Sequence, residues 1–167
     1  CVTPQRDIED IFMLEPLDAS MPIRDEWIKD LERRVGGRLP DDYLAFLRQS
    51  NGGWIATGRK PRSLDGPVLQ GFFPVMTGRV NTDGIGDALS VHETFSDGRL
   101  PPWFVPIAET GRAAVYCLSV GAKDAGTIYD VYEDDDQDEV PFDKREYALV
   151  ATSFRDFYQQ VSENYAQ

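Results

Sequence analysis

Residues 39–53, LPDDYLAFLRQSNGG, carry the start, the buried face and the end of one short helix, and the fold is read outward from them. Pro40 has a fixed φ and no N–H to leave unpaired, which suits the first helical position. Asp41 and Asp42 put negative charge where the helix dipole favours it. Tyr43, Phe46 and Leu47 predict one apolar stripe, and Arg48 and Gln49 fall in the last turn. Asn51, Gly52 and Gly53 tolerate positive φ, so the helix stops there and the chain turns. The stretch holds no nucleophile, metal cluster or phosphate loop. It specifies shape before chemistry.

Upstream, Arg24 to Val35 predicts another helix, with Trp27, Ile28, Leu31 and Val35 on one stripe. Its acidic residues come early and its arginines late, and Gly36-Gly37 closes it. Residues 7–14, DIEDIFML, carry Ile8, Ile11, Phe12 and Leu14 at helical spacing and predict a short N-terminal helix that Pro16 ends. Downstream, Trp54, Ile55 and Thr57 start a strand, Gly58 to Pro67 is a basic, turn-rich loop, and Val68 to Met76 reads as a strand ending near Pro74. Asn81 to Gly86 is a further loop, and Ile85, Leu89, Val91, His92 and Phe95 suggest a helical segment stopping at Asp97-Gly98.

The last third is the clearest β signal. Phe104 to Ala108 is a short apolar strand, Ala113 to Val120 a buried one, and Thr127 to Tyr132 alternates as a half-buried strand does. Their short connections predict an antiparallel meander. Ser153 then caps a C-terminal helix whose apolar face is Phe154, Phe157, Tyr158 and Val161. The expected fold class is α+β: a mixed, mostly antiparallel central sheet with helices at both chain ends packed on it. Residues 1–167 read as one domain without repeats or an internal linker.

The 167 residues are 41% apolar and include nine Phe, seven Tyr and three Trp, material enough for a core, and no apolar run reaches membrane-spanning length. With two cysteines, Cys1 and Cys117, there is no disulfide framework, and a reducing, cytoplasmic location is the simpler expectation. A lipid-modified Cys would also stand first. Against that, Ile8, Ile11, Phe12 and Leu14 begin structure at once, without a long polar tether. The net charge of −12 argues against nucleic-acid backbones and anionic membrane surfaces and is compatible with a basic partner, or with solubility alone.

The sharpest candidate for function is the acidic stretch Glu133, Asp134, Asp135, Asp136, Asp138 and Glu139. Clustered carboxylates imitate a phosphate backbone for a basic nuclease cleft and speed the encounter by steering; the plain alternative is a solvated loop. Calcium fits poorly, because the stretch lacks a central Gly and Asn81-x-Asp83-Gly84 to Asp87 lacks a closing Glu. Trp54, after the Gly-Gly turn, and Trp103, after two prolines, are large apolar groups near loops that can anchor a partner or simply pack under the loop. Asp83 to Asp87 lacks the Lys and the strand of a phosphate loop. His92 is the chain's single histidine, no catalytic motif accompanies it, and Cys117 reads as an inert core thiol. No cofactor or metal is expected, and no enzymatic activity.

Taken together, Ile28-x-x-Leu31-Glu32, Gly36 or Gly37, Leu39-Pro40-x-Asp42-Tyr43-x-x-Phe46-Leu47 and Asn51-Gly52-Gly53 resemble the N-terminal signature of the SUKH superfamily. The second half is similar too, in Phe104-Val105-Pro106-Ile107-Ala108, the strand through Val115 and Leu118, Gly126, and Ser153-Phe154-x-x-Phe157. One departure is Glu109-Thr110-Gly111-Arg112-Ala113, which puts an extra Arg where relatives commonly have a glycine-rich, acidic turn. The resemblance implies an immunity role: bacterial members are typically small cytoplasmic proteins that bind a cognate toxin domain, often a nuclease, and neutralise it. Fungal members act instead as signalling scaffolds with long disordered arms, so a general protein-interaction scaffold is the alternative.

Overall fold

The computed structural model describes residues 14–15, 22–76, 87–94, 99–132 and 139–166, and among them seven strands pair in chain order to form one sheet. These are β1 (Leu14–Glu15), β2 (Gly53–Ile55), β3 (Gly71–Phe72), β4 (Phe104–Glu109), β5 (Ala114–Ser119), β6 (Ile128–Tyr132) and β7 (Ala148–Ala151). Every neighbouring pair is antiparallel. The meander expected from the short connections is therefore present, extended by strands on both sides.

A proline inside β4 needs accommodation, because it cannot donate to the ladder. The register between β4 and β5 shifts between Pro106 and Ala108, a bulge that takes up the missing N–H. All six residues of β5 are buried, as a strand covered on both faces must be.

Four helices lie among the described residues: α1 (Asp25–Val35), α2 (Asp41–Gln49), α3 (Ala88–Thr94) and α4 (Phe154–Tyr165). Helix α1 buries Trp27, Ile28, Leu31 and Val35, the stripe its periodicity predicts. Helix α2 buries Tyr43, Phe46 and Leu47, but it starts at Asp41, and Pro40 is the extended residue just outside it rather than its first turn. Asp42 bridges two helix starts, accepting from the backbone N–H of Arg155 at 3.0 Å. Asn51 does more than permit a turn. Its side chain accepts from Val75 N–H at 2.8 Å and donates to Val75 C=O at 3.0 Å, locking the α2 exit to the segment after β3.

The core is an aromatic cluster where α2 and α4 meet the sheet. The Phe46 ring centroid lies 4.9 Å from that of Phe72 on β3 and 5.1 Å from that of Phe154 on α4. Tyr116 on β5 meets Phe157 at 5.0 Å. Ser153 caps α4 as its sequence position predicts, its side chain accepting from Asp156 N–H at 3.1 Å. Ser153→Ala should lower the unfolding free energy by about 1 kcal/mol, read as a shifted urea midpoint at constant slope.

Three expectations are corrected. Of the helix expected over residues 7–14, Leu14 belongs to a strand paired with Ile55, and residues 7–13 lie outside the described residues. The strand expected over Val68–Met76 narrows to Gly71–Phe72, since Pro67 and Pro74 on either side donate no backbone hydrogen bond. Strand β7 was not anticipated. The expected loop at 81–86 lies outside the described residues, as do Ile85 and Phe95 at the ends of the helical segment whose middle is α3.

Candidate partner-binding cleft

Beyond the ends of β4 and β5 an open cleft of about 850 Å³ lies between the Pro101–Phe104 segment, the Gly121–Asp124 turn and the Phe142–Tyr147 segment, a size typical of binding sites. Trp103 forms one wall. It is half-buried, and its ring centroid stands 6.1 Å from that of Phe142 at an interplanar angle of 78°, an edge-to-face pair in contact in the lining of the cleft. Phe104 and Tyr129 stack nearly parallel at 5.3 Å and 9°, and Tyr147 meets Phe104 at 5.2 Å. Apolar and aromatic walls of this kind reward a partner that excludes water from them.

Local chemistry holds the walls in place. Val120 N–H donates to Trp103 C=O at 2.9 Å, tying the loop of the indole to the end of β5. A Cβ on Gly121 would stand 2.8 Å from Trp103 Cδ1, so only glycine lets the indole lie against the turn. On the other side, the Arg145 guanidinium sits 4.4 Å above the Phe142 ring and donates to the carbonyls of Val140 and Arg99 at 2.8 and 3.1 Å. A cation thereby fastens a segment whose own regular structure is a single 3-10 turn at Phe142–Lys144.

Of the three carboxylates that line the cleft, Asp124, Asp143 and Glu146, the first is structural. Asp124 accepts from Ser119 Oγ and from Tyr129 Oη, both at 2.6 Å. Burial first, then the Asp124 carboxylate, pushes the Tyr129 hydroxyl up to about 12, so it stays protonated and keeps donating at neutral pH. His92 supports the same wall from α3. Its Nε2 lies 3.1 Å from Pro102 C=O, and since a carbonyl only accepts, Nε2 carries the proton. Burial is the main cause lowering its pKa, which keeps the ring neutral at neutral pH. An ion pair between Arg34 and Glu93 joins α1 to α3 nearby.

The two tryptophans singled out by sequence are placed apart. Trp103 lines the cleft; Trp54 is half-buried in β2, opposite Gly71, and packs against the core. Of the acidic stretch, Glu139 is exposed at the start of the segment leading to Phe142, and Glu133, Asp134, Asp135, Asp136 and Asp138 lie outside the described residues. Phe142, Tyr147 and Tyr129 join the cleft without having been singled out. The signal available for Phe142 and Tyr147 was aromatics interleaved with charge in Phe142-Asp143-Lys144-Arg145-Glu146-Tyr147.

Cys117 is fully buried in β5, and burial pushes its thiol far above the usual range, away from nucleophilic use. Among the described residues no group of His, Cys, Asp and Glu is arranged to hold a metal ion, and no helix is long and apolar enough to cross a membrane.

The family model described as SMI1 / KNR4 family (SUKH-1) matches residues 22–160, from just before α1 into α4. The chain belongs to this family. Every residue of the cleft lies inside the matched SUKH region. Proteins of the SUKH family are in general immunity or binding proteins rather than enzymes. A search of curated proteins finds no match to the chain.

Proposed function

We propose that this SUKH protein is a cytoplasmic, non-enzymatic immunity protein that binds a cognate bacterial toxin domain and neutralises it by stoichiometric occlusion. The observation that carries the reading is the family match over residues 22–160, and the aromatic cleft gives it a place to act. A toxin side chain or loop seated against the Trp103–Phe142 pair supplies the desolvated centre of the interface, and polar residues around it form the rim. The acidic stretch Glu133 to Glu139 enters the chain immediately before the cleft segment, where its charge draws in a basic surface such as that of a nuclease. Trp54 is a second aromatic contact of the same kind.

Co-expression with the toxin domain encoded beside this gene tests the reading, scored as growth rescue. No rescue, together with micromolar binding to several unrelated proteins, contradicts it in favour of an interaction scaffold. Within the rescued pair, Trp103→Ala should weaken binding by about 2–4 kcal/mol. Trp103→Phe keeps a ring against Phe142 and should retain most of the affinity. Equal affinities for wild type and Trp103→Ala place the interface elsewhere.

A further inference from the structure

Large apolar side chains are rarely left in water together without a use. Among the described residues Leu64 is 73% exposed, Leu149 62% and Tyr132 46%, and these residues line a single hollow of about 310 Å³. No residue of this hollow lines the Trp103 cleft. Separate parts of the chain bring them together: Leu64 from the loop before β3, Tyr132 from the end of β6, and Leu149 from β7, the edge strand of the sheet.

The loop that carries Leu64 is pinned. Ser63 N–H donates to Asn164 Oδ1 at 2.9 Å, and Asn164 Nδ2 donates to the carbonyls of Ser63 and Pro67 at 3.0 and 2.9 Å. Leu64 is therefore held out into solvent by a fixed turn, and a partner need not order it on binding.

Asp130 and Arg112 line the same hollow. Asp130 Oδ1 is shielded from water and has no hydrogen-bond partner. Burial raises the pKa of this carboxylate, and the charge of Arg112 only offsets that. An acceptor kept from water without a donor is costly, and a turn of the carboxylate toward the hollow lets a donor entering there relieve the cost. Arg112 repels any cation that enters the hollow, so binding of a basic side chain depends on direct contact with Asp130.

We propose that this hollow is a second docking surface, which takes an arginine or lysine side chain of a protein partner, its charge against Asp130 and its aliphatic stem along Leu64, Tyr132 and Leu149. Long basic side chains combine an apolar stem with a charged head, which matches exposed apolar side chains beside a carboxylate in a largely polar hollow. The net charge of −12 favours the approach of such a partner. The proposal rests on the reading above only in taking the protein for one that binds proteins.

The test is a ¹⁵N–¹H NMR titration of the full chain with two blocked tripeptides, Leu-Arg-Leu and Leu-Gln-Leu. Saturable shifts at Leu64, Asp130, Tyr132 and Leu149 are expected with the arginine peptide, and binding at least about tenfold weaker with the glutamine peptide. Asp130→Asn keeps the shape and should remove that preference. Leu149→Ser, at an exposed site, should weaken both peptides without disturbing the fold. Equal binding of the two peptides, a preference that survives Asp130→Asn, no saturable shift, or shifts confined to the Trp103 cleft would each overturn the proposal. None of those outcomes bears on growth rescue by the toxin pair, so the two readings fail separately.

Discussion

Phe46→Ala should lower the unfolding free energy by about 3–5 kcal/mol, a large share of what holds a domain of this size together. Phe46 is fully buried, and its ring meets Tyr43 at 6.4 Å, Phe72 at 4.9 Å, Phe154 at 5.1 Å and Tyr158 at 5.7 Å. Those rings come from α2, β3 and α4, segments held in position by one another, so the cluster closes only partly over the hole. The cost then combines lost transfer energy with a residual cavity. Urea unfolding gives the number from the shift in midpoint, provided the slope is unchanged. A loss below about 1 kcal/mol would mean that the aromatic cluster repacks freely and does not order the helices on the sheet.

Gly52→Ala should cost at least about 3 kcal/mol, although it adds a single methyl group. Gly52 has φ of +85°, which a residue with a Cβ adopts only with strain. The added Cβ would also stand 2.7 Å from Pro74 N and 2.9 Å from Phe72 O. Both are backbone atoms, and the Asn51–Val75 hydrogen bonds hold that backbone against the turn, so nothing nearby yields cheaply. Ordinary thermal stability in the Gly52→Ala variant would show that the turn after α2 relaxes without loss. The Asn51-Gly52-Gly53 run would then be dispensable to the fold.

The elements legible in the sequence are those whose signal is local. Helices α1 and α2 carry their stripe, their charge gradient and their closing residues within about a dozen positions, α4 carries its Ser153 cap and its stripe, and β4, β5 and β6 are dense in apolar residues between clear turns. Strand β7 was not legible, because Ala148 and Leu149 are exposed and the edge position leaves the segment without an apolar alternation. The Leu14 strand was read as the end of a helix because Ile8, Ile11, Phe12 and Leu14 match helical spacing, whereas pairing with Ile55 is a long-range fact. Pro40 missed its place by one residue, within the ordinary looseness of helix ends.

The cleft shows the same division. Trp103 was legible as a large side chain after two prolines, and the acidic stretch as a charge run. That Phe142, Tyr129 and Tyr147 meet Trp103 and Phe104 depends on the meander setting β6 one strand beyond β5 from the start of β4, so that rings reach across β5, which no local pattern encodes. Arg112 stands in the sequence as a charge in a turn, and that it lines the same hollow as Asp130, which pairs with Tyr116, is a long-range fact. Side chains that act by meeting at a distance in sequence are the ones a single chain hides.

The most direct test of the central claim is an inhibition titration: toxin activity measured as this protein is added in increasing molar ratio, at toxin concentrations well above the dissociation constant. Stoichiometric occlusion predicts a linear fall to zero at one equivalent, with activity returning when the complex is dissociated. Full loss at a small fraction of an equivalent would mean that the protein modifies the toxin catalytically, and persisting activity at saturation would mean that it does not neutralise the toxin at all; either result contradicts the account.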